Sequence, residues 1–429
     1  MGKLPRSFDD FDVERAGYYS AQWHLHGRGE DVDARSSVQC EAAWRALGSF
    51  GDPNVVVGIA DDGCMLEHPV FARGDGARMA GIADWAYVRD DEIRSGSGGD
   101  ADSSLMSRPG HAHGTSMCSL IAAAPIESFP IGVAPACRLL PVRWEYRASR
   151  YNITEDIFLR ILEFLSDKVD VMVNSWTKFP HFVFRDATIA QLQSLAQAGG
   201  RRGKGILFVW AAGNSNCPLN WASPTPIAYA GGFRRKDAER RWYPLQKASE
   251  FRNNLVGLSN VLHIGAVTSL AQRAHYSSYG PGLSCCAPSS NVHAQGAFHV
   301  RGRGLTTCFG EGPKVTHNFR GTSGAAAIAA GVAALAFSAN PAITASQTAS
   351  FLTSTASKNL LLEPYPPSPP NEFEPNAGWD VSPVAPFERG EFNSYGWSPW
   401  FGHGRIDAYE AVCAALHAIR ATPQTATTG

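Results

Sequence analysis

The chain has 429 residues, 44% hydrophobic and 18% charged, an ordinary globular composition with enough apolar material for one large core. Its 38 Lys and Arg stand against 39 Asp and Glu, and a net charge of -1 gives no global electrostatic reason for a nucleic-acid or anionic-membrane partner. Nine cysteines, an odd number with Cys285 and Cys286 adjacent, suit neither a disulfide ladder nor a metal spacing and read as reduced thiols of a cytoplasmic protein.

Residues 1–19 hold no apolar stretch of signal-peptide length, and no later run is read as a membrane span. Short apolar runs rich in β-branched residues then alternate with segments of helical period, the pattern of a parallel sheet covered by helices. Strands are expected at 54–60, 137–144, 169–176, 205–212 and 260–267, and helices at 113–123, 154–167, 186–198, 323–338, 345–356 and 405–419. Thr154 ahead of Glu155 and Asp156 is a helix start, with an oxygen to cap and acids at the positive end of the dipole. Three stretches interrupt the rhythm: a Gly/Ser-rich mobile loop at 94–110, an irregular insertion at 216–258, and a proline-dense surface excursion at 363–390. The expected organisation is an N-terminal segment (1–50) packed on one domain (51–420), whose insertions fall near 90–110, 216–258 and 363–390, followed by a disordered tail (421–429). The basic runs 199–205 and 231–241 read as solvated faces.

Three short segments carry chemistry together that none carries alone. The first expected strand stops at Asp61-Asp62-Gly63, at the carboxyl edge of the sheet, where open parallel sheets hold their sites. Asp-Gly is equally a plain turn signal. His113 opens one helix, and Ser323, in Gly321-Thr322-Ser323-Gly324, opens another, a position where serine ordinarily serves as a cap. Acyl transfer needs a nucleophile, a base within reach and a carboxylate that orients the base. Asp61, His113 and Ser323 supply those types, each at the end of a regular element.

In that order these residues resemble the subtilisin-like serine proteases. The resemblance extends through His68-Pro69, His113-Gly114-Thr115, Asn174-Ser175-Trp176, Ala211-Ala212-Gly213-Asn214 and Gly321-Thr322-Ser323, from "AQWHL" at 21 to "YGWSPWFGHGRIDAYEAVCAAL" ending at 416. The flanks "QWHL", the double Asp and "NSW" are closest to the kexin and furin type. The resemblance implies a three-layer α/β fold, a twisted, mainly parallel sheet with helices on both faces, and a serine endopeptidase acting on protein or peptide substrates. It gives Ser323 the attack, His113 the proton transfers, Asp61 the orientation of His113, and Asn214 with the Ser323 N–H the oxyanion. Ser175 and Trp176 would pair with substrate backbone as an added antiparallel strand, alongside Gly213. Asp62 would face a basic substrate side chain, and Thr177, standing where the family has glycine, would narrow the primary specificity pocket.

Several positions depart from the family's pattern. Ala327 replaces the proline that usually follows the serine motif, and Ser116-Met117-Cys118 replaces smaller residues behind the histidine. Val70 stands where an acidic calcium ligand is common, and 123–130 offers few oxygen side chains, so no strong calcium site, no metal ligand and no required cofactor is expected. Thr177-Lys178-Phe179-Pro180 replaces the acidic cluster of kexin-like enzymes, so cleavage after basic pairs does not transfer. Only 60 residues precede Asp61, most of them matching the segment before the catalytic domain, so the usual inhibitory prodomain is expected to be absent from this chain, either removed or not needed for folding, and residues 3–8, "KLPRSF", are a candidate inhibitor lying across the cleft. Two other readings use the same site: peptide ligation by a transpeptidase or macrocyclase, and a latent protease that awaits a regulatory protein partner.

Overall fold

The computed structural model describes residues 5–71, 81–99, 101–144, 146–147, 150–151, 153–236, 239–291, 301–310, 312–363 and 386–421. Two helices, α1 (Trp23–His26) and α2 (Cys40–Leu47), precede the first strand, β1 (Val56–Asp61). After it come an edge pair, β2 (Ala86–Arg89) and β3 (Glu92–Ser95), then α3 (His113–Ala122), β4 (Arg138–Arg143) and a minor pair, β5 (Tyr146–Arg147) and β6 (Arg150–Tyr151). The chain continues through α4 (Glu155–Leu165), β7 (Val171–Asn174), the short β8 (His181–Phe182), α5 (Asp186–Ala198) and β9 (Leu207–Ala211). A long hairpin of β10 (Trp221–Lys236) and β11 (Glu239–Asn253) precedes β12 (Val261–Val267) and β13 (Leu283–Pro288). The pair β14 (Leu305–Phe309) and β15 (Lys314–Phe319) leads into α6 (Gly321–Ala339), α7 (Ala345–Ser354) and α8 (Ala408–Ala421).

Eight strands form the central sheet in the order β13-β12-β9-β7-β1-β4-β2-β3, parallel throughout except for the β2–β3 edge. Apart from the edge pair β2 and β3, its inner strands β1, β7, β9 and β12 are buried on both faces, with side chains alternating across the pleat into helix-covered cores on either side. In β1, Val57 and Ile59 join the core under α3, α6 and α8, while Val56 and Ala60 join the opposite core with Phe158, Ile161 and Leu162 of α4. Thr154 caps α4 as its sequence suggests, its hydroxyl accepting from the N–H of Ile157 at 3.2 Å. The N-terminal segment is tied to this body by Gln22, whose amide exchanges two hydrogen bonds with the backbone of Ile131, and by the Trp44 indole N–H on the Val133 carbonyl.

The central helix is α6. Alanine and glycine along its 19 residues leave it thin enough to sit inside the protein, and Ala327, fully buried, continues it without a break. Contrary to the expectation from the sequence, this stretch is long and apolar enough to cross a membrane, with a mean hydropathy of 1.6; 94% of that window is buried inside the protein.

Two of the three interruptions differ from their expected form. Residues 94–110 contain the end of β3, a short 3-10 turn at Gly96–Gly98 and another at Ser103–Met106, anchored by the fully buried Met106. The 216–258 insertion is built on a long hairpin: β10 and β11 pair antiparallel from Trp221↔Phe251 to Lys236↔Glu239, with register shifts between 222 and 232. Most of 363–390, and the tail from 422 on, lie outside the described residues. Residues 5–8 of "KLPRSF" do not lie across the cleft, because Phe8 is buried against Phe11, Tyr19 and Trp44; Lys3 and Leu4 lie outside the described residues. Pro5 and Arg6 border a hollow with Pro125 and Glu127, beyond the carboxyl end of α3. That end lies about 15 Å from His113, given 1.5 Å of rise per helical residue.

Candidate active site

Because β1, β7 and β9 run parallel, their carboxyl ends share one edge, and Asp61, Ser175–Thr177 and Ala212–Asn214 emerge there side by side. The buried carboxylate of Asp61 is 2.7 Å, Oδ1 to Nδ1, from the imidazole of His113, the first residue of α3. The same oxygen accepts from the N–H of Asp62 at 2.8 Å. With Nδ1 held, Nε2 is the nitrogen left for chemistry. The His113 ring packs on Phe319 at 5.3 Å between centroids, and Phe319 is the last residue of β15, just ahead of the turn that carries Ser323. Strand β1 and helix α3 thus bring Asp61 and His113 into contact, and the end of β15, which leads into the Ser323-bearing α6, packs against His113.

Asp62 does something the sequence did not suggest. Both its oxygens are turned to the start of α3, accepting from the N–H of His113 at 3.1 Å and of Gly114 at 2.6 Å. The residue in the N-cap position, Ala112, has no oxygen to offer, so a carboxylate from across the site caps the helix instead. Gly114 permits this approach, because a β-carbon there would collide with the Gly63 carbonyl and press on Asp61 and Asp62. With its carboxylate buried and committed to α3, Asp62 is not placed to face a basic substrate side chain.

Burial raises the Asp62 carboxyl first, and the neighbouring Asp61 charge raises it further, to about 6, against the two N–H bonds and His113. At His113, burial lowers the imidazole, but the charge and hydrogen bond of Asp61, with Asp62 behind them, outweigh it and push it up to about 9. Two adjacent carboxylates therefore favour a charged imidazolium, the state a general base reaches once it has accepted a proton.

Ser323 is the third residue of α6, not its cap. The N–H groups ahead of it are satisfied by neutral partners: Gly321 donates to the Tyr276 hydroxyl at 3.1 Å, and Thr322 to the Asn214 side-chain oxygen at 2.8 Å. The Thr322 hydroxyl also donates to that oxygen, at 2.9 Å, and accepts from the N–H of Gly213 at 3.0 Å. Asn214 is thereby fixed through its oxygen, which leaves its NH2 on the other side of the amide.

On the neighbouring wall, Ser175 donates weakly to the Met117 sulfur at 3.5 Å. Trp176 turns its ring into an aromatic cluster with Trp144, Phe158, Phe182 and Trp210, and its carbonyl accepts from the Trp210 indole at 2.9 Å. Trp176 separates two hollows, one of about 110 Å³ shared with Asp61 and His113 and one of about 520 Å³ shared with Phe158, His181 and Phe184. Tyr276 and Phe319 carried no signal of their own in the sequence, and Thr322 was marked only as part of the Gly321-Thr322-Ser323 motif.

Fold and site together define a class of protein: a helix-covered, mainly parallel α/β sheet that presents a carboxylate–imidazole pair and a helix-borne serine at its carboxyl edge. The chain belongs to the subtilase family, whose profile matches residues 52–397, and its fold is subtilisin-like. It is 25% identical over 427 residues to a protein named calcium-dependent protease from Nostoc sp., covering 93% of this chain and 52% of that one. It is 24% identical over 330 residues to proprotein convertase subtilisin/kexin type 6 of Rattus norvegicus, covering 76% of this chain and 30% of that one. The chain therefore spans about half the length of the first relative and under a third of the second. Among solved structures, the serine protease of Aeromonas sobria in complex with its chaperone superposes with a TM-score of 0.63 at 20% identity, covering 94% of this chain and 67% of that one.

Proposed function

We propose that this chain is a serine endopeptidase that hydrolyses peptide bonds through Asp61, His113 and Ser323. The observation that carries the reading is the 2.7 Å pair of Asp61 and His113 set beside the start of α6. Ser323 Oγ attacks the scissile carbonyl as His113 Nε2 takes its proton and then gives it to the leaving amine; water, activated by the same nitrogen, releases the acyl group. Asp61 holds the Nδ1–H and stabilises the imidazolium. The oxyanion takes hydrogen bonds from the Asn214 NH2 and the Ser323 N–H, at the positive end of α6. The backbone groups of Ser175 and Thr177 accept the substrate as an added strand.

A fluorophosphonate probe tests this directly. Wild type should label and Ser323→Ala should not; a folded wild type that stays unlabelled ends the reading. Mass spectrometry of peptide products then separates hydrolysis from ligation.

Calcium dependence stands in the name of a relative, and structural calcium is compatible with family membership. Among the described residues no three His, Cys, Asp or Glu side chains gather into a metal-binding group, and no step of the reaction is assigned to calcium. The solved complex of the Aeromonas sobria protease with a chaperone supports a protein partner here as well. Nine free cysteines, eight of them buried, support a reducing, cytoplasmic setting.

A further inference from the structure

The two segments that flank the nucleophile on the acyl side of the bond are Ser175–Thr177, after β7, and Ala212–Asn214, after β9. Their strands are adjacent and parallel, with Asn174 opposite Trp210, so the segments leave the sheet side by side, and the crevice between them is bounded by Thr177 on one side and Gly213 on the other. Asn214 and Gly213 are bound to Thr322, the residue before Ser323, so this crevice opens beside the nucleophile. A substrate whose scissile carbonyl reaches Ser323, with its backbone along Ser175–Thr177, directs the side chain of the residue donating that carbonyl into this crevice.

The crevice is filled from below by Phe179. Its ring lies so close to Gly213 that a β-carbon there would collide with Cε2 and stand 2.8 Å from Cζ, while the Thr177 methyl would be 3.0 Å away on the other side. Gly213 itself has φ of +104, a conformation that disfavours any side chain. The ring is partly exposed, and its buried side joins two apolar clusters: Ala212, Leu219 and Leu283, and Cys217, Ile227, Tyr229 and Phe251.

The root of the long hairpin holds the ring in place. Arg252 N–H donates to the Pro180 carbonyl at 3.0 Å, and β11 pairs with β8 at Arg252↔His181 and Asn253↔Phe182. The segment bearing Phe179 is therefore laced to the hairpin on one side and to Gly213 on the other, which leaves the ring as a fixed floor.

We infer, building on the endopeptidase reading above, that Phe179 occupies the primary specificity pocket and restricts cleavage to peptide bonds that follow glycine, alanine or serine. A larger side chain meets the ring edge and the Thr177 methyl before its carbonyl reaches Ser323. Overpacking of a close-packed site is strongly disfavoured, and apolar pockets discriminate by roughly 10–200-fold per methylene-sized misfit. Basic side chains are excluded further, because the floor is aromatic and aliphatic and holds no carboxylate among the residues named.

The test is the kcat/KM of a peptide series that varies only the residue on the acyl side of the bond, measured on wild type, Phe179→Ala and Phe179→Leu. Each protein is first checked for its melting temperature and for fluorophosphonate labelling. Wild type should cleave after Gly, Ala and Ser at least tenfold better than after Leu, Phe, Lys or Arg. Phe179→Ala should raise cleavage after Leu or Phe at least tenfold while the alanine substrate changes less than threefold, with Phe179→Leu between. If Phe179→Ala does not fold, the wild-type profile and the milder Phe179→Leu decide. Labelled wild type that prefers Leu, Phe, Lys or Arg overturns the plugged pocket alone, as does a folded Phe179 variant with an unchanged profile. Failure of folded wild type to label overturns the endopeptidase reading and the pocket with it.

Discussion

Two helices begin at the site, α3 with His113 and α6 with Ser323, and they are capped in opposite ways. The first turn of α3 is closed by a full negative charge, since Asp62 accepts from both leading N–H groups. The first turn of α6 is closed by neutral oxygens, the Tyr276 hydroxyl and the Asn214 amide, which satisfy the N–H groups of Gly321 and Thr322. A carboxylate at a helix start consumes the positive end of the dipole, whereas neutral acceptors leave much of it in place. The histidine helix is thus held and its imidazolium favoured, while the serine helix keeps its positive end open. In the proposed endopeptidase reaction, the same backbone feature would serve orientation in one case and transition-state stabilisation in the other.

The comparison can be broken at either helix. The largest effect is expected on the serine side: Asn214→Ala should lower kcat by about 10²–10³ with little change in KM, the usual cost of losing one oxyanion donor. Its amide oxygen also binds Thr322, so Thr322→Val, which keeps the Asn214 NH2 but removes the hydroxyl that holds it, should cost less than Asn214→Ala. Equal losses would mean that the amide acts only by holding the turn.

On the histidine side, Asp62→Asn should move the acid limb of the kcat/KM profile to lower pH. His113 acts as a base only when neutral, so activity is lost as pH falls through its pKa, which the Asp61 and Asp62 charges hold above the ordinary 6.5. Removing one of those charges lowers that pKa, and the limb follows it down. A limb that stays in place or moves upward would show that Asp62 does not act on His113 electrostatically. The smallest effect is expected from Tyr276→Phe, which leaves a buried Gly321 N–H unpaired and should cost about 1–3 kcal/mol in urea unfolding with a modest loss of kcat.

Much of this was legible in the residues because the signals are local. The strands at 54–60, 169–176 and 205–212 announce themselves as apolar runs, and each is found within two residues or so as β1, β7 and β9. Asp61, His113 and Ser323 sit at element ends, and element ends can be read from where a periodic pattern starts or stops. The hairpin at 221–253 was not legible for the complementary reason. Pro224, Pro226 and Pro244 interrupt its alternation, and its far end pairs Arg234 with Arg241 and Arg235 with Arg240, an arrangement that strand propensity does not favour.

The sequence by itself determined the chemistry present and its order along the chain: a carboxylate ending a strand, an imidazole and a hydroxyl each opening a helix, on an α/β framework. Only the tertiary structure decided which neighbour each group faces. Asp62 looks like a substrate-binding carboxylate until α3, 51 residues on, arrives with a helix start that lacks a cap. Phe179 looks like one more loop residue until Gly213, with no side chain of its own, leaves the space its ring takes. The physical reason is common to both. An unpaired helix N–H and an unfilled crevice exist only once distant segments are brought together, and the side chain that satisfies them is set by proximity in the fold, which sequence order does not encode.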